Sequence, residues 1–232
     1  MKLVRSLFAA FAVAVPVSAG FAATQHSLDI SHITAVRITG AASHIALSTT
    51  RGNYQASIGT RHTGWFSWWY SSWFFNDCST TSRMWLNGMT LRIQVTPQSP
   101  SSNCTVEIQA WLPAGIDVSI TQSAADVQMH GHYASIRVRG EAANFSLTGD
   151  VAELVLHGRA LHARLRYTRV RHDESLRIDA NSLAADISFP RGTRISYDVR
   201  AHSALVDSAL SNTPGAQPAI AITADYVMAT IR

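Results

Sequence analysis

The chain has 232 residues, 47% of them hydrophobic, and carries 19 basic against 15 acidic side chains for a formal charge of +4. Length suffices for one domain with a substantial core, and so mild a positive balance excludes a strong global case for nucleic-acid binding. After Lys2 and Arg5 every positive side chain is arginine.

Residues 1–22 have the pattern of a signal peptide. Lys2 and Arg5 make a basic start, Leu7 to Val17 is almost wholly apolar, and Gly20-Phe21-Ala22 offers small residues where a signal peptidase reads. Cleavage after Ala22 fits best, with Ala23 the neighbouring alternative, and no cysteine follows to accept a lipid. The apolar run is shorter than the ~20 residues that span a bilayer, and no later run reaches that length. An uncleaved N-terminal anchor is the competing reading. The expectation is a periplasmic or secreted protein, one domain over 23–232, with no transmembrane span in the mature chain.

From about Leu28 to Thr60 come short alternating runs, such as Ala35-Val36-Arg37-Ile38 and Ile45-Ala46-Leu47-Ser48. An insertion at about 60–90 interrupts them. Its centre is Trp65-Phe66-Ser67-Trp68-Trp69-Tyr70-Ser71-Ser72-Trp73-Phe74-Phe75, which holds four of the six tryptophans. A flap packed over the fold is one reading. On a strand, however, Trp68 and Trp69 point opposite ways, so some rings must face out or meet a partner. Trp65, Phe66, Trp68, Trp69, Tyr70, Trp73, Phe74 and Phe75 are therefore the candidate contact surface, suited to a membrane interface or a protein partner. Carbohydrate stacking is less favoured, because no cluster of acids or amides accompanies the rings.

Leu91 to Val95 and Val106 to Ala110 predict two longer strands joined by a loop from Pro97 to Asn103, and Ile116 to Ile120 predicts another. Then the chain repeats every nine residues: VQMHG, IRVRG, FSLTG and LVLHG, with Gly131, Gly140, Gly149 and Gly158 in register, and ARLRY ending at Tyr167. Each unit sets two apolar residues two apart, the spacing of a strand with one buried face, and closes on a residue able to turn. Val127/Met129, Ile136/Val138, Phe145/Leu147, Leu154/Leu156 and Ala163/Leu165 form the expected internal columns. Two units would make one coil of about 18 residues. Leu176/Ile178, Ile187/Phe189 and Ile195/Tyr197 continue the alternation less strictly, and Ile220-Ala221-Ile222 with Val227-Met228 would supply the last coil. The fold class expected is all-β, a single-domain parallel β-helix (solenoid) of short strands; a hairpin meander is the alternative.

Cys78 and Cys104 are the only cysteines. In an exported chain they predict one disulfide, worth about 3 kcal/mol through restriction of the unfolded chain. Arg137, Arg139, Arg164, Arg166, Arg169 and Arg171 are the candidate surface for an anionic partner such as lipid, lipopolysaccharide or acidic polysaccharide. A two-unit coil would divide them, with Arg164/Arg166 on one face and Arg137/Arg139 on the other. A plain solvated surface is the simpler reading.

Of the ten histidines, His130-Gly131-His132 is the most suggestive, but no carboxylate or third histidine stands at ligand spacing. Asp126, Glu141, Asp150, Glu153 and Asp186 do not pair at matching coil positions, and no short nucleophile signature is present. No metal, cofactor or nucleic-acid partner is expected. Non-enzymatic binding or scaffolding in the cell envelope is the functional expectation. A purely structural, self-associating solenoid and a polysaccharide-acting enzyme are the alternatives.

Over roughly Ala35 to Ile222 the chain resembles the adhesin-like, auto-transporter-head β-helix domains of bacterial exported proteins, whose role is undefined. The resemblance rests on the paired long strands at Leu91–Val95 and Val106–Ala110, the Leu112-Pro113-Ala114-Gly115 turn and the strand-turn repeats that follow. Such domains usually turn through Ser-Gly-Asp. Here only Thr148-Gly149-Asp150 comes close, while the other units turn through His-Gly or Arg-Gly. The resemblance implies an architecture and brings no catalytic residue.

Overall fold

The computed structural model describes residues 26–50, 52–62, 78, 80–98 and 104–232. The expected signal peptide and the aromatic run 65–75 lie outside the described residues. What is described is all-β: β1 (His26–Asp29), β2 (Ala35–Gly40), β3 (Ser43–Ser48), β4 (Gln55–His62), β5 (Arg83–Asn87), β6 (Thr90–Val95), β7 (Cys104–Trp111), β8 (Ile116–Gln122), β9 (Ala124–Tyr167), β10 (Ser175–Ser188), β11 (Ser196–Ser208) and β12 (Ala219–Ile231). Among the described residues no helix is long and apolar enough to cross a membrane.

All twelve strands belong to one sheet, which runs along two ladders joined through β9. In the first ladder β6, β2 and β8 lie parallel, and β8 then pairs with the 133–139 stretch of β9. In the second, β7 and β3 lie parallel and β3 pairs with 125–130 of β9. β10 pairs in parallel with the last part of β9 and with β12, and β12 with β11. Each of these three strands contributes to both ladders, bending at Asn181, Asp225 and His202, which the pairing skips. Antiparallel strands occur where the sheet begins, as β5 on β6 and β1 on β4 on β7.

Alternation explains the burial. The ten residues expected as columns between Val127 and Leu165 are all buried, at 2% exposure or less. One core cluster runs from Ile30 to Ile231. Side-chain contacts between residues 18 apart recur: Asp117 with Ser135, Asp126 with Asn144, and His132 with Asp150.

Three sequence expectations need correction. The nine-residue units are not separate strands with turns between them; β9 runs unbroken for 44 residues and bends at its glycines. Only some of those glycines need unusual dihedrals. Gly131 and Gly149 have φ of 106° and 150°, whereas at Gly140 a Cβ would stand 2.6 Å from the Gln122 carbonyl oxygen, so close approach excludes a side chain there. Second, the two long strands do not pair with each other. β6 joins the first ladder and β7 the second, because each follows the ladder of its partner in the β2–β3 layer. Third, β12 is last in sequence but not in space. It inserts between β10 and β11, and β11 forms the final layer. The inward-facing Ile220, Ile222, Val227, Ala229 and Ile231 of β12 all fall below 6% exposure, as an interior layer requires.

Candidate functional site

A groove of about 1220 Å³ runs along the second ladder, beside the bend between ladders. Strand alternation builds it. Residues at equivalent positions in successive layers form rows about 4.8 Å apart. One row is small: Ala42, Ala124, Ala142, Ala160 and Ser182 leave the hollow, Tyr226 stands next in the row and Ser203 follows it. The next row supplies polar groups. Glu107 and Asp126 are register partners of His44 on either side, Asn144 follows Asp126, and His162 is the register partner of Ala184. His44 Nδ1 lies 2.8 Å from Asp126 Oδ2, and Asn144 Nδ2 donates to Asp126 Oδ1 at 2.8 Å. Beyond Ala184 the row turns apolar at Met228, which is 60% exposed. The groove thus grades from ionisable groups near Arg61 and Glu107 to an apolar end at Tyr226 and Met228.

This geometry suits an elongated ligand with polar groups on one edge. His44 is spent on Asp126, and no serine or threonine hydroxyl is bonded to it among the described contacts. Among the described residues no three His, Cys, Asp or Glu side chains are grouped to hold a metal ion.

The aromatic candidates Trp65, Phe66, Trp68, Trp69, Tyr70, Trp73, Phe74 and Phe75 lie outside the described residues. Their attachment points do not. The Cys78–Cys104 disulfide is formed, with Cα atoms 5.7 Å apart, and Thr60 Oγ1 donates to the Cys78 carbonyl. Arg61, Thr105 and Glu107, next to these points, line the polar end of the groove.

The six arginines are not brought together. Arg137 pairs with Glu153 on the first ladder, and Arg139 stands exposed beside it. Arg164 and Arg166 are exposed on the second ladder. Arg169 and Arg171 turn to Asp150, whose side chain is 1% exposed; Arg169 Nη2 approaches it at 3.3 Å, and both Arg171 and His132 are bonded to it. Burial pushes the Asp150 carboxyl up, but hydrogen bonds and positive charge from Arg171 and His132 outweigh this and hold it below the usual carboxylate range. Beside it Glu174, fully buried, accepts backbone N–H bonds from Arg171, His172 and Asp173.

Sequence reading missed the groove and the Asp150 cluster. Both were accessible through one signal. An 18-residue offset applied to polar residues sets Asp150 over His132 and Asn144 over Asp126.

No protein-family model matches the chain, and no curated protein matches it. Among solved structures it is similar to a putative cell adhesion protein from Clostridium sporogenes, at 7% identity over 89% of this chain and 97% of that one, with a TM-score of 0.41. It is also similar to a putative adhesin from Bacteroides fragilis, at 12% identity over 89% and 94%, with a TM-score of 0.40. Likeness of this degree leaves ligand and partner to be argued from the residues themselves.

Proposed function

We propose that the protein is an exported, non-enzymatic binding or scaffolding protein of the bacterial cell envelope, built as a parallel β-solenoid with coils of about 18 residues. Residues 1–22 direct export, and the aromatic insertion, together with the groove lined by the strands that precede and follow it, contacts a membrane surface or a protein partner. The carrying observation is the anchoring of that insertion. The chain leaves β4 after Arg61 and His62, returns at Cys78, and is bonded there to Cys104 at the start of β7, so both ends are tied to strands that line the groove. A disulfide is compatible with an envelope or extracellular location.

The test is flotation with zwitterionic and with anionic liposomes, beside a Trp68→Ser/Trp69→Ser variant shown to be folded by circular dichroism. Flotation that the variant loses supports membrane contact through the insertion, and dependence on anionic lipid would add the exposed Arg139, Arg164 and Arg166. Absence of flotation overturns the membrane contact and turns the search to a protein partner.

A purely structural, self-associating role is the second reading. It draws on the final layer, where β11 pairs with β12 alone among the described strands.

A further inference from the structure

The outer face of the first ladder gathers arginines that stand far apart in sequence. β5, β6, β2, β8 and the 133–139 stretch of β9 are successive layers there, about 4.8 Å apart. Register sets Arg92 beside Arg37 in one outward row, with Trp85 at its start and Arg137 two layers on, while Arg83 and Arg139 stand in the next row. The same strands hold one acid, Asp117, whose carboxylate already accepts from Ser135 Oγ at 2.6 Å. Arg137 pairs with Glu153 of the following layer, but Arg37, Arg83, Arg92 and Arg139 have no carboxylate partner among the described residues. Even with Glu153 counted, the positive excess of this face exceeds that of residues 23–232 as a whole, where the 19 basic residues less Lys2 and Arg5 stand against 15 acids. The rest of the chain is therefore slightly acidic.

Beside these arginines the β5–β6 hairpin exposes large apolar side chains. Trp85, Leu86 and Met89 are 40%, 43% and 58% exposed. Alternation puts Trp85 on the arginine face, opposite Arg92, and turns Leu86 the other way, opposite buried Leu91; Met89 lies in the turn. Leu86 stays open because β5 ends the ladder. The hairpin is held in place, since Met84 packs on the core and both Thr34 N and Ala35 N donate to the Met89 carbonyl, at 2.8 and 3.3 Å. Apolar groups fixed in water next to unpaired arginines match a bilayer interface, where rings and thioethers enter the acyl boundary and arginines meet anionic headgroups.

We propose that this face docks on an anionic lipid bilayer, with Trp85 and Met89 at the acyl boundary and Arg37, Arg83, Arg92 and Arg139 on the headgroups. The inference rests on the membrane contact proposed above, and it assigns the anionic-lipid contact to the first ladder rather than to Arg164 and Arg166. The second ladder is different, because Arg164 stands opposite Asp186 in register. The arginine face and the insertion are continuous along the chain: the insertion returns at Cys78, and the chain reaches Arg83 of β5 five residues later. A soluble polyanion would satisfy the arginines but gives Met89 nothing to enter, so the apolar side chains select the bilayer.

Cosedimentation of the purified protein with vesicles of phosphatidylcholine, with and without phosphatidylglycerol, tests it, each variant being shown folded by circular dichroism. The wild type is expected on the anionic vesicles and is released as salt rises. Arg37→Glu/Arg83→Glu should weaken this binding by at least about tenfold, whereas Arg164→Glu/Arg166→Glu, with the same change in net charge, should weaken it by less than about threefold. Trp85→Ser/Met89→Ser should also weaken vesicle binding about tenfold and leave binding to dextran sulfate, a soluble polyanion, unchanged. Equal losses in the two charge-reversed pairs overturn the proposal. So does a Trp85→Ser/Met89→Ser protein that binds vesicles as the wild type does, which would point to an acidic polymer instead. Binding lost in Trp68→Ser/Trp69→Ser but kept in Arg37→Glu/Arg83→Glu overturns this face alone and leaves the insertion as the contact. No binding to either vesicle overturns both membrane contacts together.

Discussion

Gly149→Ala tests the layering most directly. At this residue φ is 150°, and an added Cβ would stand 1.9 Å from the carbonyl oxygen of Gly131, 2.7 Å from its carbon and 2.9 Å from its nitrogen. All three are backbone atoms of the neighbouring layer, so no side chain can swing away to make room. An L side chain in left-handed backbone costs about 1–2 kcal/mol. Relief of the clash must also part the layers, which weakens the bond from Thr168 N to Gly149 O, worth about 1 kcal/mol net, and disturbs adjacent Asp150. The total expected is about 3–5 kcal/mol, a large part of a typical domain's stability. Two alanine controls separate the terms. Gly88 has φ of 58° with nothing within 4 Å, so its replacement should cost about 1–2 kcal/mol from conformation alone. Gly59, in β4, has neither constraint, and alanine there should be neutral or stabilising by up to about 1 kcal/mol. Urea unfolding followed by far-ultraviolet circular dichroism gives all three values. If Gly149→Ala costs no more than Gly88→Ala, the close approach of layers at this bend is refuted.

Asp150→Asn should lower stability by about 2–3 kcal/mol in the same assay, less than for a fully buried pair because its arginine partners remain partly hydrated. The depressed Asp150 carboxyl stabilises the fold above its unfolded value near pH 4 and loses that contribution as pH falls through its folded value, so the variant should be less sensitive to acid below about pH 4. An acid limb unchanged by the substitution would refute this. Reduction of Cys78–Cys104, with 26 residues of sequence separation, should cost about 3 kcal/mol, read as a shift in the urea midpoint with dithiothreitol. Two buried tyrosines should diverge on conversion to phenylalanine. Tyr133 donates to the Leu47 carbonyl, and its variant should lose about 1 kcal/mol. The Tyr167 hydroxyl is buried with no partner among the described residues, so Tyr167→Phe should be neutral or stabilising; a comparable loss would show that this hydroxyl is bonded.

How much of this was legible before the structure depends on what each residue answers to. The columns from Val127 to Leu165 could be read because one-sided burial repeats with strand period, and that period is local. The pairing of β6 with β2 and of β7 with β3 could not, since two apolar runs carry no mark of which ladder each joins. The place of β12 was hidden for the same reason. Its runs look like those of any layer, and only the smaller residues of β11, the polar Ser208 beneath Ile231 and the exposed Ala204 beneath Val227, betray which strand ends the stack.

The polar residues followed a different logic. His132 looked unpaired because its neighbours in sequence hold no suitable carboxylate, yet its partner Asp150 lies 18 residues ahead. The 18-residue period that arranges the apolar columns also places polar partners, and it breaks where the β3 layer inserts: His44 reaches Asp126 across 82 residues. Of the six arginines, separation onto two ladders followed from alternation and was anticipated, whereas the diversion of Arg169 and Arg171 to a buried carboxylate depended on the loop after Tyr167 turning back over Asp150. That loop has no period to betray it. What holds it is Glu174, a buried acid accepting three backbone N–H groups, in a stretch that alternation alone marks as a solvated turn. In this fold periodicity reveals what the layers share, and the residues that depart from it identify the bends, the ends and the anchored loops.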